Sequence, residues 1–128
     1  MTIVSWDPNL EVGIEHIDAQ HRALFALLNN LYAAIENRTA EDVLLTTIKQ
    51  LVTYSIEHFT SEMAFMAIKQ YPDRWAHNFE HEEFQRKIRE FVARIYEGDI
   101  FFAKEVADFV HSWLVNHIAT VDAKLKGL

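Results

Sequence analysis

The stretch Trp75-Ala76-His77-Asn78-Phe79-Glu80-His81-Glu82-Glu83-Phe84 decides how the rest of the chain is read. At 3.6 residues per turn, His77 and His81 share a side with Phe84, Ile88, Phe91 and Ile95, a stripe that faces a core. One imidazole on such a stripe is ordinarily a core residue hydrogen-bonded to a neighbour. Two of them, one turn apart, direct attention to what the other helices bring to the same level.

The same period runs through three further segments. After an irregular arm, residues 1–17 with Trp6 and Pro8, a first helix is expected from about Asp18 to Arg38, its stripe Leu24, Phe25, Leu28, Leu31, Tyr32 and Ile35. One step back along that stripe lies His21. Thr39-Ala40-Glu41-Asp42 has the form of a capping box, with Thr39 as N-cap of a second helix that runs to about Lys69. Its inward face carries Leu44, Leu45, Ile48, Leu51, Val52 and Ser55, then His58, Phe59, Glu62 and Met66. Tyr71-Pro72 ends it, because the residue before proline is disfavoured in the helical region. Asp73 is placed to cap the third helix, which reaches about Glu97 before Gly98 stops it. Asp99 is the expected cap of a fourth, with Phe102, Val106, Val110, Trp113 and His117 inward, followed by Val121 or Asp122.

Four helices with short connections predict an all-α fold: an antiparallel, up-down-up-down four-helix bundle, one domain over residues 1–128 with the bundle in 18–128. Three Gly and two Pro in 128 residues are too few for a chain of many short strands and tight turns. The formal charge of −7 without a basic tract argues against nucleic acid as a partner. No apolar run approaches the roughly 18 residues of a membrane span, and the start lacks a signal peptide's basic and apolar regions. With no Cys there is no disulfide, thiolate site or cysteine nucleophile, and the cytoplasm is the expected compartment. Evenly polar outer faces predict a monomer.

Antiparallel packing puts the starts of the first and third helices level with the ends of the second and fourth. His21, His58, Glu62, His77, His81, His117 and Asp122 therefore converge on one layer. Unpaired, such groups would each cost several kcal/mol, and no Lys or Arg falls on the stripes at that level. A bound cation resolves the conflict. Imidazole and carboxylate without sulfur suit iron, zinc or manganese, and seven ligands are too many for one ion. Two ions bridged by Glu62, Asp122 and an added hydroxide accommodate them. One spacing is irregular: His117 and Asp122 are five apart, roughly 140° out of line in a regular helix. Either a long reach or a π-bulge near residues 115–122 would bring Asp122 in.

Ile17-Asp18-Ala19-Gln20-His21, His58-Phe59-Thr60-Ser61-Glu62, His77-Asn78-Phe79-Glu80-His81 and His117-Ile118-Ala119-Thr120-Val121-Asp122 resemble the corresponding stretches of the hemerythrins, the bacterial members above all. The arm Trp6-Asp7-Pro8-Asn9-Leu10-Glu11-Val12-Gly13 resembles theirs too. The resemblance implies a non-haem di-iron centre that binds dioxygen reversibly, for storage, delivery or sensing. It implies one iron held by His77, His81 and His117 and the other by His21 and His58, with Glu62, Asp122 and an oxo or hydroxo group bridging. The first would be six-coordinate and closed, the second five-coordinate and open to dioxygen. Leu114, Trp113, Phe59, Met63 and Met66 flank the ligands and are candidates for a dry wall, Leu114 first because its family counterpart lies near bound oxygen. Nitric oxide is the other diatomic candidate.

The rival reading is a di-iron redox enzyme that consumes peroxide or nitric oxide. Five neutral imidazoles against two carboxylates, with no added inward acid or base, favour binding over catalysis, so a binding protein rather than an enzyme is expected, with weak oxidase or peroxidase chemistry at most. Glu80, Glu82 and Glu83 read as a solvated face, His111 as solvent-facing, and His16 carries no assignment. Asp18 and Gln20 adjoin His21 and are read as solvent-facing caps, with orientation of the His21 ring as the alternative.

Overall fold

The computed structural model describes residues 4–128. Its order is a short 3-10 turn at Pro8–Leu10, then α1 (Glu15–Glu36), α2 (Ala40–Ile68), α3 (Arg74–Tyr96) and α4 (Ala103–Thr120), closed by a second 3-10 turn at Asp122–Leu125. Helix α1 packs on α2 and α4, and α2 on α3, which gives the expected four-helix bundle.

Three helices stop by the same device. Arg38, Gln70 and Gly98 take left-handed backbone angles (φ 60°, 54° and 95°) just past the ends of α1, α2 and α3. In each case the next amide reaches back to a carbonyl in the last turn: Thr39 N to Ala34 O, Tyr71 N to Met66 O and Asp99 N to Arg94 O. These are Schellman closures. Gly98 tolerates the angle freely; Arg38 and Gln70 hold it at some cost. The stop of α2 is therefore set at Gln70, two residues ahead of Pro72.

Several boundaries differ from expectation, each for a local reason. Helix α1 begins at Glu15 rather than Asp18. The Asp18 carboxylate is buried and accepts the amides of Val12 (2.8 Å) and Gly13 (3.1 Å), which folds the arm over the helix start and lets the helix take up residues earlier. Asp18 is thus no solvent-facing cap. Thr39 and Asp73 occupy the N-cap positions of α2 and α3, but neither side chain bonds into its helix; the Thr39 hydroxyl turns back to Ala34 O instead. Helix α4 begins at Ala103, with Phe102 as N-cap. Asp99 caps the preceding turn, accepting from Phe101 N at 3.1 Å, and pairs with Arg94 at 3.0 Å.

The main core is built from Leu24, Leu28 and Leu31 of α1, Leu44, Ile48 and Leu51 of α2, Ile88 and Phe91 of α3, and Val106 and Val110 of α4. A smaller cluster of Met66, Tyr71 and Leu125, with Ile14, Met63 and Phe65 against it, closes the end of the bundle. The polar layer lies between the two, so apolar side chains cover it from both sides.

Candidate metal centre

All seven polar residues expected to converge are buried together: His21, Glu62 and Asp122 completely, His58, His77, His81 and His117 nearly so. Helix α1 supplies His21, α2 supplies His58 and Glu62, and α3 supplies His77 and His81, in each helix from the turns nearest that end of the bundle. Helix α4 supplies His117. Asp122 arrives by a route the spacing left open. Val121 N still bonds to His117 O at 2.9 Å, so no π-bulge forms; α4 simply ends at Thr120. Val121 then turns the chain (φ −103°, ψ −57°) into the 3-10 segment whose first residue is Asp122. The change of helical pitch does what a bulge would have done.

The donor atoms form two groups, Glu62, His77, His81, His117 and Asp122 in one, His21, His58, Glu62 and Asp122 in the other, each with its donor atoms within 4.8 Å of one another. The two carboxylates belong to both. Asp122 turns Oδ1 to His77 (2.9 Å) and His117 (3.1 Å), and Oδ2 to His21 (3.0 Å). Glu62 turns Oε2 to His77 (3.0 Å) and Oε1 to His58 (2.5 Å). The Nε2 atoms of His81 and His117 are 3.1 Å apart.

These separations test the fit of a cation. Two donors held about 2.1 Å from one ion at right angles lie about 3 Å apart. Most close pairs have that spacing, yet apart from His81 and His117 they do not bond to each other. Both oxygens of Glu62 and Asp122, and both ring nitrogens of His21 and His77, lack a hydrogen bond despite their proximity. Left so, each buried group would cost about 1–3 kcal/mol. Imidazole nitrogens and carboxylate oxygens gathered this closely without hydrogen bonds are a donor set that a cation fits.

Without a cation, the imidazoles and carboxylates of the layer compensate one another's charge. Burial opposes a charged imidazole at His21 and at His77, but Asp122 and Glu62 outweigh it and raise each to about 9. Burial would raise the Glu62 carboxyl, yet His21, His58 and His77 hold it well below its usual range. Burial and the Glu62 charge likewise push Asp122 up, but His117, His21 and His77 bring it down to about 2. His81 goes to about 3, since burial, with His117 and His77 beside it, outweighs the pull of Glu62. The carboxylates borrow cationic partners from the imidazoles; among the described residues no Lys or Arg pairs with either of them.

A family model described as the hemerythrin HHE cation binding domain matches residues 12–128. The chain belongs to the hemerythrin family. It is 33% identical to the myohemerythrin of Riftia pachyptila over 95% of this chain and 90% of that one. It is 32% identical to one of the hemerythrin polypeptides of Sipunculus nudus (96% and 91%) and 31% to a bacteriohemerythrin of Clostridium acetobutylicum (91% and 94%). A crystal structure of a leucine-to-phenylalanine mutant protein superposes with a TM-score of 0.85 at 25% identity, covering 98% of this chain and 96% of its own.

Around this polar layer the expected wall residues divide. Phe59 stacks on His81 (centroids 3.9 Å apart, planes 8° from parallel), and Trp113 stacks on His117 (4.3 Å, 12°). Leu114 is buried in the same main core. Met66 and the half-buried Met63 belong instead to the small cluster beyond the layer. Trp6, from the arm, lies 6.3 Å from His21 and edge-on to Phe25 at 5.3 Å.

Two outer partners were misread in the sequence. Glu80 is no merely solvated carboxylate: its Oε1 accepts from His117 Nδ1 at 2.9 Å. Gln20 is half-buried and bonds to another histidine than His21: its Oε1 accepts from His58 Nδ1 at 2.8 Å, and its amide nitrogen donates to Ser61 Oγ at 3.2 Å. A signal for both was present. Each immediately precedes a histidine of the layer, and one residue is about 100° around a helix, which aims it at a histidine of the neighbouring helix. His111 is half-buried and edge-on to Tyr32 at 6.2 Å, and His16 is exposed.

Proposed function

We propose that this chain binds dioxygen reversibly at a pair of non-haem iron ions. His77, His81 and His117 would hold one ion, His21 and His58 the other, and Glu62 and Asp122 would bridge them with an oxo or hydroxo group. The observation that carries the reading is the division of each carboxylate, one oxygen toward each histidine group. The relatives named hemerythrin, myohemerythrin and bacteriohemerythrin support it.

A ferrous pair held by these residues would supply the two-electron chemistry of reversible dioxygen binding. The protein's part is to fix ligands and exclude water. Gln20 and Glu80 hold the rings of His58 and His117 from behind, so that each Nε2 faces inward. The two-histidine half offers one imidazole fewer and would be the half left open to a diatomic molecule. Phe59, Trp113 and Leu114 would form the dry wall from the core side, with Met66 and Met63 closing the end. Excluding water there withholds the proton that would turn reversible binding into irreversible oxidation.

Binding rather than catalysis is favoured by five neutral imidazoles against two carboxylates, a set that does little to stabilise highly oxidised iron. Asp18, the other buried carboxylate among the described residues, is occupied by the Val12 and Gly13 amides. No helix among them is long and apolar enough to cross a membrane. The reading extends to a single monomeric domain over residues 1–128, with the cysteine-free sequence supporting the cytoplasm and with nitric oxide as an alternative ligand.

The test is optical. Iron-loaded protein is cycled between air and argon while its visible absorption is recorded. A charge-transfer band that comes and goes over several cycles supports reversible binding. A band that appears once and stays, or turnover of peroxide or nitric oxide faster than that loss, favours the enzyme.

A further inference from the structure

The two histidine groups differ in what stands behind them. Behind His117, in the three-histidine group, is the Glu80 carboxylate, 2.9 Å from Nδ1. Behind His58, in the two-histidine group, is the Gln20 amide, 2.8 Å from Nδ1 and itself tied to Ser61. The geometry is nearly the same and the charge is not. An acceptor on Nδ1 raises the electron density at Nε2 of the same ring, and an anionic acceptor does so more strongly than a neutral one. The Glu80 side chain is 43% exposed, so solvent weakens its through-space attraction for a cation; its effect through the ring persists.

We propose that Glu80 and Gln20 are positioning residues that grade the two halves of the centre. The carboxylate makes the three-histidine half the tighter cation site, and the amide keeps the two-histidine half weaker, so the halves fill in order. This rests on the metal-centre reading above and adds to it a rule for loading. An ordinary surface glutamate on α3 would make no such difference; this one reaches a buried ring nitrogen on α4. The grading also suits the division of labour: the closed half is held firmly, and the open half keeps the looser ligand field that exchange of a small molecule needs.

The experiment is stepwise titration of the metal-free full chain with cobalt(II), followed by calorimetry and by the visible bands of the bound ion. Wild type should take up two ions in two resolved steps. Glu80→Gln preserves an acceptor for His117 while removing its charge, and should weaken the first step by about ten- to hundredfold, leaving the second in place. Gln20→Glu should act with the opposite sign on the other step, strengthening the second and leaving the first. Glu80→Asp should recover part of the first. In zinc-loaded protein the His117 Nδ1–H resonance should move upfield in Glu80→Gln. A purely structural role predicts a lower melting temperature for the metal-free variants and no such split in sign. Two-step uptake with constants unmoved by either substitution, or moved together, would overturn the grading while leaving the centre intact. No cobalt uptake by wild type would remove both.

Discussion

Trp113 lies flat against His117, the ring centroids 4.3 Å apart and the planes 12° from parallel. Phe59 does the same to His81 on the adjacent helix, and the two aromatic rings meet edge to face at 5.8 Å. Packing thus blocks rotation of both imidazoles, and at His117 the hydrogen bond between Nδ1 and Glu80 adds to it. Phe59 is 5% exposed, and its removal leaves a cavity against His81. Phe59→Ala should cost about 3–5 kcal/mol of stability in metal-free protein, measured by urea unfolding. A loss well under 1 kcal/mol would mean the site can collapse around the gap.

The shared carboxylates and the single-group histidines should behave differently on deletion. Glu62→Ala takes a ligand from both groups at once and should bring the iron content close to zero. His81→Ala takes a ligand from one group and should leave about one iron per chain. Elemental analysis of the two variants, purified alike, checks this. Equal loss in both would argue against two separable groups.

The arm is fastened at one point that mutation can reach. Asn29 on α1 accepts from Val4 N at 2.6 Å and donates to Val4 O at 2.9 Å, which holds the stretch carrying Trp6 beside His21. Asn29→Ala should cost about 1–2 kcal/mol and raise hydrogen exchange in residues 4–12 above that of the helices. Unchanged exchange there would show that Asp18, through Val12 and Gly13, suffices to hold the arm.

Most of the fold and nearly all of the buried polar layer were legible because both depend on which side of a helix a residue occupies. That property is strictly periodic: His21, His58, Glu62, His77, His81 and His117 each continue an apolar stripe. The misreadings come where periodicity ends. Asp122 is beyond the last turn of α4, and its position depends on how the helix terminates, which a count at 100° per residue does not contain. The start of α4 was misplaced because Asp99 caps a turn that precedes the helix by several residues. Glu80 and Gln20 sit off the stripes, so pattern marked them as solvated; their roles depend on the contact between neighbouring helices. Met63 and Met66 share α2 with Phe59 but lie on the far side of the polar layer, a division along the helix axis to which a facial stripe is blind.

A titration away from the centre checks the packing of α1 on α4. The Tyr32 hydroxyl donates to Asp108 at 2.8 Å, and burial, with that bond and the nearby charge, raises the phenol to about 12. Because the folded value is above the ordinary value of about 10, this contribution to stability is complete below about pH 10 and is lost as pH climbs through about 12. The phenolate absorbance of Tyr32, assigned by its loss in Tyr32→Phe, should therefore develop only near pH 12 or with unfolding. Its development near the ordinary value of about 10 in folded protein would contradict the contact.

The central claim is a pair of irons that takes up dioxygen and gives it back, and gas uptake by iron-loaded protein tests it most directly. Anaerobic protein of measured iron content, exposed to a known quantity of dioxygen, should take up one molecule for every two irons and return it on purging with argon. Uptake without return, or uptake by protein that holds only one iron per chain, would contradict the account.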